Sequence, residues 1–218
     1  MKKLQYFLRT GQGKFIAGLV VIFVALFAWY FYAQSTGQIN KTEEIVISNT
    51  DHIRGAQDGK VTMVEFADFQ CPACGAYEPL VRKVLEDNPT TLKIVFRHFP
   101  LTQIHQNALL AAKAAEAAGL QGKFWEMHDM LFDKQKDWSL GLNAHDFIIN
   151  YATTLGLDIA KFSTDLNSSV IEKKILAEYQ EGVKLGINGT PSFFVNGKKI
   201  QNPQSPEEFN KLIQEAAK

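Results

Sequence analysis

The chain has two cysteines, Cys71 and Cys74, which are separated only by Pro72 and Ala73. Because no other cysteine occurs in the 218 residues, any thiol chemistry within the chain must use this pair. An apolar run precedes the pair and a helical pattern follows it, and a Cys-x-x-Cys motif at such a junction is typical of a redox-active dithiol. The first sulfur would meet unpaired N–H groups and the positive end of the helix, which stabilise a thiolate. The second would lie one turn further on, within reach of the first.

Half of a zinc site and a structural bridge are the alternatives to redox exchange. Zinc takes four ligands, and the histidines that could complete a set are His52, His98, His105, His128 and His145. None of them shows the paired spacing of a zinc motif. A bridge across so short a loop constrains few conformations of the unfolded chain, so it would contribute little to stability. We therefore expect redox exchange, with no metal and no other cofactor.

Glu65 is the one acid in the apolar run before the dithiol, six residues ahead of Cys71. A buried carboxylate there would be costly without a partner. Its functional interpretation is a proton relay for Cys74, which must become a thiolate before it attacks a mixed disulfide. The alternative is an exposed acid on an edge strand.

The elements around the dithiol form a βαβ unit in the sequence pattern. Residues 61–67 are predicted as a buried strand, the helix after Cys74 ends near Asn88-Pro89, and 92–98 is predicted as a second, parallel strand. Before this unit, 45–47 is a candidate first strand and 51–60 is predicted as a loop.

The middle of the chain is predicted to be helical, and strands return near the C-terminus. The apolar spacing predicts helices over 107–118, 124–132, 144–155 and 171–185. Asn196-Gly197 predicts a two-residue hairpin turn within 192–200, and a last helix over 206–217 has Ser205 as its cap. The fold class is therefore α/β, one domain with a helical insertion at about 102–186.

The sequence resembles the DsbA-like branch of the thioredoxin superfamily, the exported thiol:disulfide oxidoreductases. The resemblance spans about 61–217 and rests on four stretches, which read EFADFQCPAC, VFRHFPL, FWEMHDMLF and GTPSFFVNG. It implies a thioredoxin-like fold interrupted by a helical subdomain. It also implies that Cys71 is the nucleophile and Cys74 the resolving thiol, and the family has an acid at the position of Glu65.

The resemblance changes the expectation for Thr190-Pro191. From the residues alone this bond would be trans, since only about 5–6% of X–Pro bonds are cis, whereas the family implies a cis-proline packed against the dithiol. A cis bond would expose the backbone of Thr190 beside the sulfurs, where an extended substrate chain can pair with it. Pro72 and Ala73 are the positions expected to tune the dithiol. Oxidising members often carry histidine where this chain has Ala73, and a methyl group offers the thiolate neither charge nor hydrogen bond.

The N-terminal part of the sequence predicts a membrane anchor. Residues 15–33 form an uncharged stretch of 19 residues, about 28 Å long as a helix and close to the hydrocarbon thickness of a bilayer. A cleaved signal peptide, with a cleavage site near Ala33, is the alternative, but the stretch exceeds the usual 7–15 apolar residues. The basic residues that precede the stretch are Lys2, Lys3, Arg9 and Lys14. They predict a cytoplasmic N-terminus at 1–14, followed after the anchor by a linker at 34–44 and an exported domain at 45–218.

Together these features predict a single-pass protein of the cell membrane whose extracytoplasmic domain is a thiol:disulfide oxidoreductase that promotes disulfide formation. Its expected partners are exported client proteins with cysteines and a membrane redox partner that reoxidises or reduces the dithiol. A membrane-anchored reductase or isomerase and a non-catalytic thioredoxin-fold module that binds client chains remain alternatives. The net charge is zero, with 23 basic and 23 acidic residues, and no nucleic-acid surface is indicated.

Overall fold

The computed structural model describes residues 11–36 and 45–218, and the chain divides into two units, Met1–Thr42 and Glu43–Lys218. In the first unit, helix α1 spans Gly11–Thr36. Among the residues that the structure describes, no helix combines the length and the apolar character needed to cross a membrane.

The anchor at 15–33 is therefore not confirmed and stays a prediction. Most of the predicted cytoplasmic segment 1–14 and of the predicted linker 34–44 lies outside the described residues.

The second unit is built on a five-stranded sheet with the order β1-β3-β2-β4-β5. The strands are β1 (His52–Gly55), β2 (Val61–Ala67), β3 (Leu92–His98), β4 (Ser192–Val195) and β5 (Lys198–Lys199). β2 and β3 are parallel and are joined by helix α2 (Pro72–Asp87), so the predicted βαβ unit is confirmed. The other pairings are antiparallel. β2 lies at the centre of the sheet, because it pairs with β3 on one side and β4 on the other.

The predicted helical insertion is present between β3 and β4. Its helices are α3 (Ala108–Gly119), α4 (Phe124–Asp133), α5 (Gln135–Trp138), α6 (Ala144–Thr154), α7 (Ile159–Leu166) and α8 (Ser169–Lys184). After the sheet, α9 (Pro206–Ala216) begins at Ser205, whose side chain accepts a hydrogen bond from Glu208 N as a helix cap does. The turn between β4 and β5 has positive φ at Asn196 (47°) and Gly197 (77°), as a two-residue hairpin of this type requires.

The structure corrects the prediction at one edge of the sheet. Residues 45–47, predicted as a strand, have no regular secondary structure, and the first strand is His52–Gly55, inside the stretch predicted as a loop. Among the described strands this one pairs only with β3, and it is half-exposed, so it has neither the apolar run nor the alternation that marks a strand in sequence. The short helices α5 and α7 were also not predicted.

The dithiol lies where the sheet meets the insertion. One hydrophobic cluster joins the sheet to α2 and α9 through Met63, Val84 and Phe209. A larger one contains Cys71 and Cys74 together with residues of the insertion. The predicted interruption of the sheet by helices therefore places a helical layer directly against the start of α2.

Candidate active site

Helix α2 begins at the dithiol, with Cys71 at the N-cap position in extended backbone geometry (φ −68°, ψ 121°). Its side chain accepts no capping hydrogen bond, and Pro72 is the first helical residue. Proline suits that position because its fixed φ is helical and its missing N–H would have had no partner there. The sulfur of Cys71 thus lies at the end of the helix where unpaired N–H groups favour negative charge.

These surroundings lower the pKa of the Cys71 thiol from 9.0 to about 5. A hydrogen bond from Cys74 is the largest cause, and it outweighs burial, which acts in the opposite direction. Hydrogen bonds from the Thr190 side chain and from the backbone at Cys74 and Ala73 lower the pKa further. Ala73 therefore supports the thiolate through its backbone, although its methyl group cannot.

Cys74 has the opposite character. Its side chain is 1% exposed, against 8% for Cys71, and burial raises its pKa well above the usual range. The hydrogen bond with Cys71 and the charges of Cys71 and Glu65 act in the same direction, and the backbone of Asp68 opposes them. Both residues are free thiols here. One acidic and one shielded sulfur are the arrangement that an attacking and a resolving cysteine need.

Thr190 and Pro191 lie beside the dithiol, joined by a cis peptide bond, as the resemblance implies. Cys71 Sγ lies 3.5 Å from the carbonyl oxygen of Thr190. The Thr190 hydroxyl is buried and has no other hydrogen-bond partner among the described residues, which leaves it able to donate to a Cys71 thiolate. Asn202 Nδ2 donates to the Pro191 carbonyl at 2.7 Å and so fixes the loop from its other side.

Glu65 lies on the central strand, opposite Phe96 in β3 and Phe193 in β4, and is 2% exposed. The alternative of an exposed acid on an edge strand is therefore wrong. Burial raises the pKa of the Glu65 carboxyl well above its usual range, and the charge of Glu78 raises it further. The charge of Glu65 in turn raises the pKa of Cys74, so the protonation states of the two groups are linked.

A family model described as thioredoxin matches residues 48–215. The chain belongs to the thioredoxin family. The match covers the whole sheet, the dithiol and the helical insertion.

Solved structures of similar fold agree with this assignment. A thioredoxin-like oxidoreductase from Silicibacter pomeroyi is 27% identical, with a TM-score of 0.64, over 78% of this chain and 91% of that one. The fold is also that of α-DsbA1 from Wolbachia pipientis, 20% identical with a TM-score of 0.69 over 82% of this chain and 96% of that one. Together with the family match, these structures support a thioredoxin-like fold with a helical insertion for this chain.

Curated relatives carry a different name. A Na(+)/H(+) antiporter NhaA 3 from Salinispora tropica is 41% identical over 166 residues, which are 76% of this chain and 24% of that protein. An antiporter NhaA from Herminiimonas arsenicoxydans is 32% identical over 83% of this chain and 29% of its own length. The thioredoxin-family chain thus spans about a quarter of these relatives.

Two polar residues missed by the sequence analysis hold the start of α2 in this thioredoxin-family site. The buried Asp68 carboxylate accepts hydrogen bonds from Gln70 N (2.7 Å) and Leu101 N (2.9 Å) and contacts His105 Nδ1 (2.6 Å). Gln135 Nε2, from α5, donates to the carbonyl of Cys71 at 2.9 Å. No sequence signal identifies Gln135, since its partner lies more than sixty residues away and α5 itself was not predicted.

Three of the histidines contact buried carboxylates. His52 and His98 contact Glu116, and His105 contacts Asp68. Among the described residues, Glu78, His128 and Asp129 bring ligand-type atoms within 4.8 Å of one another, without a cysteine. The two carboxylates of this group already pair with guanidinium groups: Arg82 lies 2.8 Å from Glu78, and Arg54 lies 2.8 Å from Asp129. We therefore assign no metal to it.

Proposed function

We propose that this chain is a membrane-anchored thiol:disulfide oxidoreductase that acts outside the cytoplasm and promotes disulfide formation in client proteins. The observation that carries the proposal is the asymmetry of the dithiol. The pKa of Cys71 is lowered to about 5, whereas burial raises that of Cys74. A thiolate that is stabilised in the reduced enzyme favours reduction of the enzyme disulfide. The disulfide therefore oxidises client thiols more strongly than it would without that stabilisation.

In the proposed reaction, a client thiolate attacks Cys71 Sγ of the oxidised enzyme. A bond forms between the client sulfur and Cys71, the Cys71–Cys74 bond breaks, and Cys74 leaves with the electron pair and takes a proton from Glu65. A second client thiolate then attacks the client sulfur of the mixed disulfide. This releases Cys71 as a thiolate and the client as a disulfide, so that two electrons have passed from client to enzyme.

The loop at Thr190 and Pro191 supplies the binding surface in this proposal. The Thr190 carbonyl lies 3.5 Å from Cys71 Sγ, and its backbone precedes β4, whose residues pair with β2. An extended client segment placed along Thr190 would add main-chain hydrogen bonds there. Those bonds do not depend on the client's side chains, which suits an enzyme that acts on many sequences.

The reverse direction is the second candidate, and Ala73 is the residue that favours it. A histidine before the second cysteine would add positive charge beside the Cys71 thiolate, and here that charge is missing. An enzyme with a weaker oxidising dithiol serves as a reductase or isomerase when a partner supplies electrons. The redox state of the dithiol in living cells, captured by rapid thiol alkylation, separates the two. A mostly oxidised pair supports the oxidase, and a mostly reduced pair supports the alternative.

The proposed location rests on the sequence of 15–33, which carries no charge. In this proposal a membrane redox partner reoxidises the dithiol and exported proteins with cysteines are the clients. Protease added to spheroplasts should digest 45–218. In untreated cells the mature protein should still contain 1–14. A mature protein that begins after Ala33 would show a cleaved signal peptide instead. The longer relatives are named as antiporters, but we propose no transport role for this chain.

The activity is tested by trapping. Cys74→Ser removes the resolving thiol, so the mixed disulfide at Cys71 should persist and client proteins should be recovered covalently bound on non-reducing gels. The matched variant Cys71→Ser should trap almost none, because the shielded Cys74 thiol is a poor nucleophile. Equal trapping by the two variants would contradict the assigned roles. If wild type catalyses no exchange and neither variant traps a client, the chain is a binding module.

A further inference from the structure

A small cavity is lined by residues of the sheet, of α2 and of α4. Glu65, Glu78 and His128 face it, together with Arg54 and Arg82, and its volume is about 10 Å³. That is about the space one water molecule needs, and a buried water also needs several polar partners. The carboxylates and the imidazole provide them.

The imidazole of His128 has an incomplete set of hydrogen bonds at this cavity. The side chain is 2% exposed, and its Nδ1 lies 2.9 Å from Asp129 Oδ1. Its Nε2 is buried and has no hydrogen-bond partner within the described chain. Ring contacts with Phe96 and Phe132 hold the imidazole in place. A buried ring nitrogen normally has a partner, so Nε2 is the atom available to a water.

The spacing suits a single bridging water. Polar atoms of Glu78, His128 and Asp129 all lie within 4.8 Å of one another. Two hydrogen bonds of about 2.8 Å through one oxygen span such a separation. Glu65 lines the same small cavity as Glu78 and His128, so a water held there lies beside all three side chains.

The proposed proton exchange between Cys74 and Glu65 requires a route for protons to and from solvent. Cys74 and Glu65 are 1% and 2% exposed, so neither meets bulk water directly. The Asp129 side chain, in contrast, is one-third exposed. His128 therefore lies between a buried carboxyl group and a carboxylate that reaches solvent. An imidazole suits this place because one ring nitrogen accepts a proton while the other releases one.

We propose that His128 is a positioning residue for the proton path, and that one water in the cavity links its Nε2 to Glu65 so that protons pass between Glu65 and solvent. The inference rests on the proposed function. When Cys74 leaves the enzyme disulfide it takes a proton from Glu65, and Glu65 regains one from solvent through Asp129, His128 and the water. In the reverse step Cys74 gives its proton to Glu65, and the same groups return it to solvent.

The charged groups that surround His128 do not compete with it for the transferred proton. β1 contributes Arg54, which pairs with Asp129 at 2.8 Å, and α2 contributes Arg82, which pairs with Glu78 at 2.8 Å. These guanidinium groups compensate the carboxylates of Glu78 and Asp129, and an arginine does not give up its proton in proteins. Glu65, from β2, is the cavity acid that remains to exchange a proton.

The test uses His128→Gln in the full-length chain. A glutamine amide keeps a polar group near the position of Nε2 but cannot relay a proton. A mixed disulfide of Cys71 with a cysteine peptide is formed, and release of the peptide by Cys74 is followed by acid quench at pH 7 in dilute buffer. We expect release to be about tenfold slower in the variant, less than the roughly 10²–10⁴-fold of a direct general base. Added imidazole buffer at constant pH and ionic strength should restore the rate of peptide release in the variant and leave the wild-type rate unchanged.

The controls separate this inference from loss of structure and from failure of the proposed function. His98→Gln changes another buried histidine and should leave release and its response to buffer unchanged. Alkylation of Cys71 should stay within about twofold in each variant, since acid–base assistance at Cys74 is what has been removed. If His128→Gln does not fold, the wild type provides the test. Its peptide release should be slower in heavy water than in ordinary water. Equal rates in the two solvents would overturn the inference.

Two outcomes are distinct. If wild type releases peptide and His128→Gln does so at the same rate with no response to imidazole, the proton path is wrong and the proposed function stands. If wild type forms no mixed disulfide or never resolves it, the proposed function itself fails.

Discussion

Two buried acids of this domain have opposite surroundings. Glu116, on α3, contacts His52 Nε2 at 2.7 Å and His98 Nε2 at 2.9 Å and is also paired with Lys174. Glu65, on the central strand, faces a second acid, Glu78, across the small cavity. Their exposures are similarly low, 6% and 2%. Burial alone therefore does not distinguish the two sites.

The partners determine the ionisation of each acid. Burial opposes ionisation of Glu116, but hydrogen bonds from His52 and His98 and the charge of Lys174 hold its pKa well below the usual range. At Glu65 burial acts in the same direction as the neighbouring acid, and the pKa is raised. A permanently ionised carboxylate joins β1, β3, α3 and α8, which is a structural role. A buried carboxyl group whose raised pKa favours the protonated form suits the proton exchange with Cys74 that we propose.

The same substitution at the two acids should have opposite effects on stability, and the larger effect belongs to Glu116. Glu116→Gln removes the charge that Lys174 and the two histidines surround. We expect the free energy of unfolding at pH 7 to fall by about 3 kcal/mol, the lower end for breaking a buried pair, because Lys174 keeps Glu178 at 3.0 Å. Denaturant unfolding of the oxidised protein measures it.

The control for Glu116→Gln is the chemistry of the dithiol. Alkylation of Cys71 should proceed at the wild-type rate, because none of the causes that lower its pKa involves Glu116. In wild type the stabilisation from Glu116 should be complete above its unfolded pKa and should disappear as pH falls below it, since the folded pKa is depressed. If Glu116→Gln is as stable as wild type at pH 7, the proposed difference between Glu116 and Glu65 is wrong.

A second prediction concerns the stabilised charge within the active site itself. At pH 7 the Cys71 pKa of about 5 lies two pKa units below the solution pH, which stabilises the reduced protein by about 2.7 kcal/mol. The sign follows from a depressed folded pKa: the stabilisation is complete above 9.0 and is lost as pH falls through about 5. The reduced protein should therefore gain about 2 kcal/mol over the oxidised one between pH 5 and pH 7.

The measurement is denaturant unfolding of both redox forms at each pH. Comparing the forms at each pH removes the contribution of carboxylates such as Glu116, which are present in both. The bridge itself contributes a term that does not change with pH. A difference that stays constant between pH 5 and pH 7 would show that Cys71 is not stabilised as a thiolate.

The two acids also show which features of the site can be predicted from sequence and which depend on tertiary packing. The strand–helix junction at Cys71 and the burial of Glu65 follow from a local apolar run, so both were predicted. Glu78 was not, because an acid four residues before Arg82 has the spacing of an ordinary exposed helix pair. Only the packing of α4 over α2 buries it. His128 lies in the stretch 124–132 that was predicted as a helix, yet its unpaired nitrogen depends on that same tertiary contact.

The edge of the sheet was unpredictable for a related reason. β1 is four residues long and includes Arg54, so its sequence carries no strand pattern. It is fixed by partners from elsewhere: β3 along its backbone, Glu116 at His52 and the Trp125 ring over which Arg54 lies at 4.3 Å. The family resemblance supplied the cis bond at Pro191, for which the local residues gave no indication.

The smallest expected effect is a gain of stability at Glu65. Glu65→Gln keeps the size of the side chain and removes a buried acid whose pKa is raised by burial and by Glu78. The native protein holds that proton at pH values where the unfolded chain has lost it, so wild type loses stability as pH rises above the unfolded pKa. We expect the variant to be more stable by about 1 kcal/mol at pH 7.5, a typical single-residue effect, and the gain should shrink toward pH 5. Peptide release from the mixed disulfide should at the same time slow by about 100-fold, as expected for loss of a general base. A variant that is less stable than wild type, or that releases peptide within twofold of the wild-type rate, would place Glu65 with Glu116 as a structural acid.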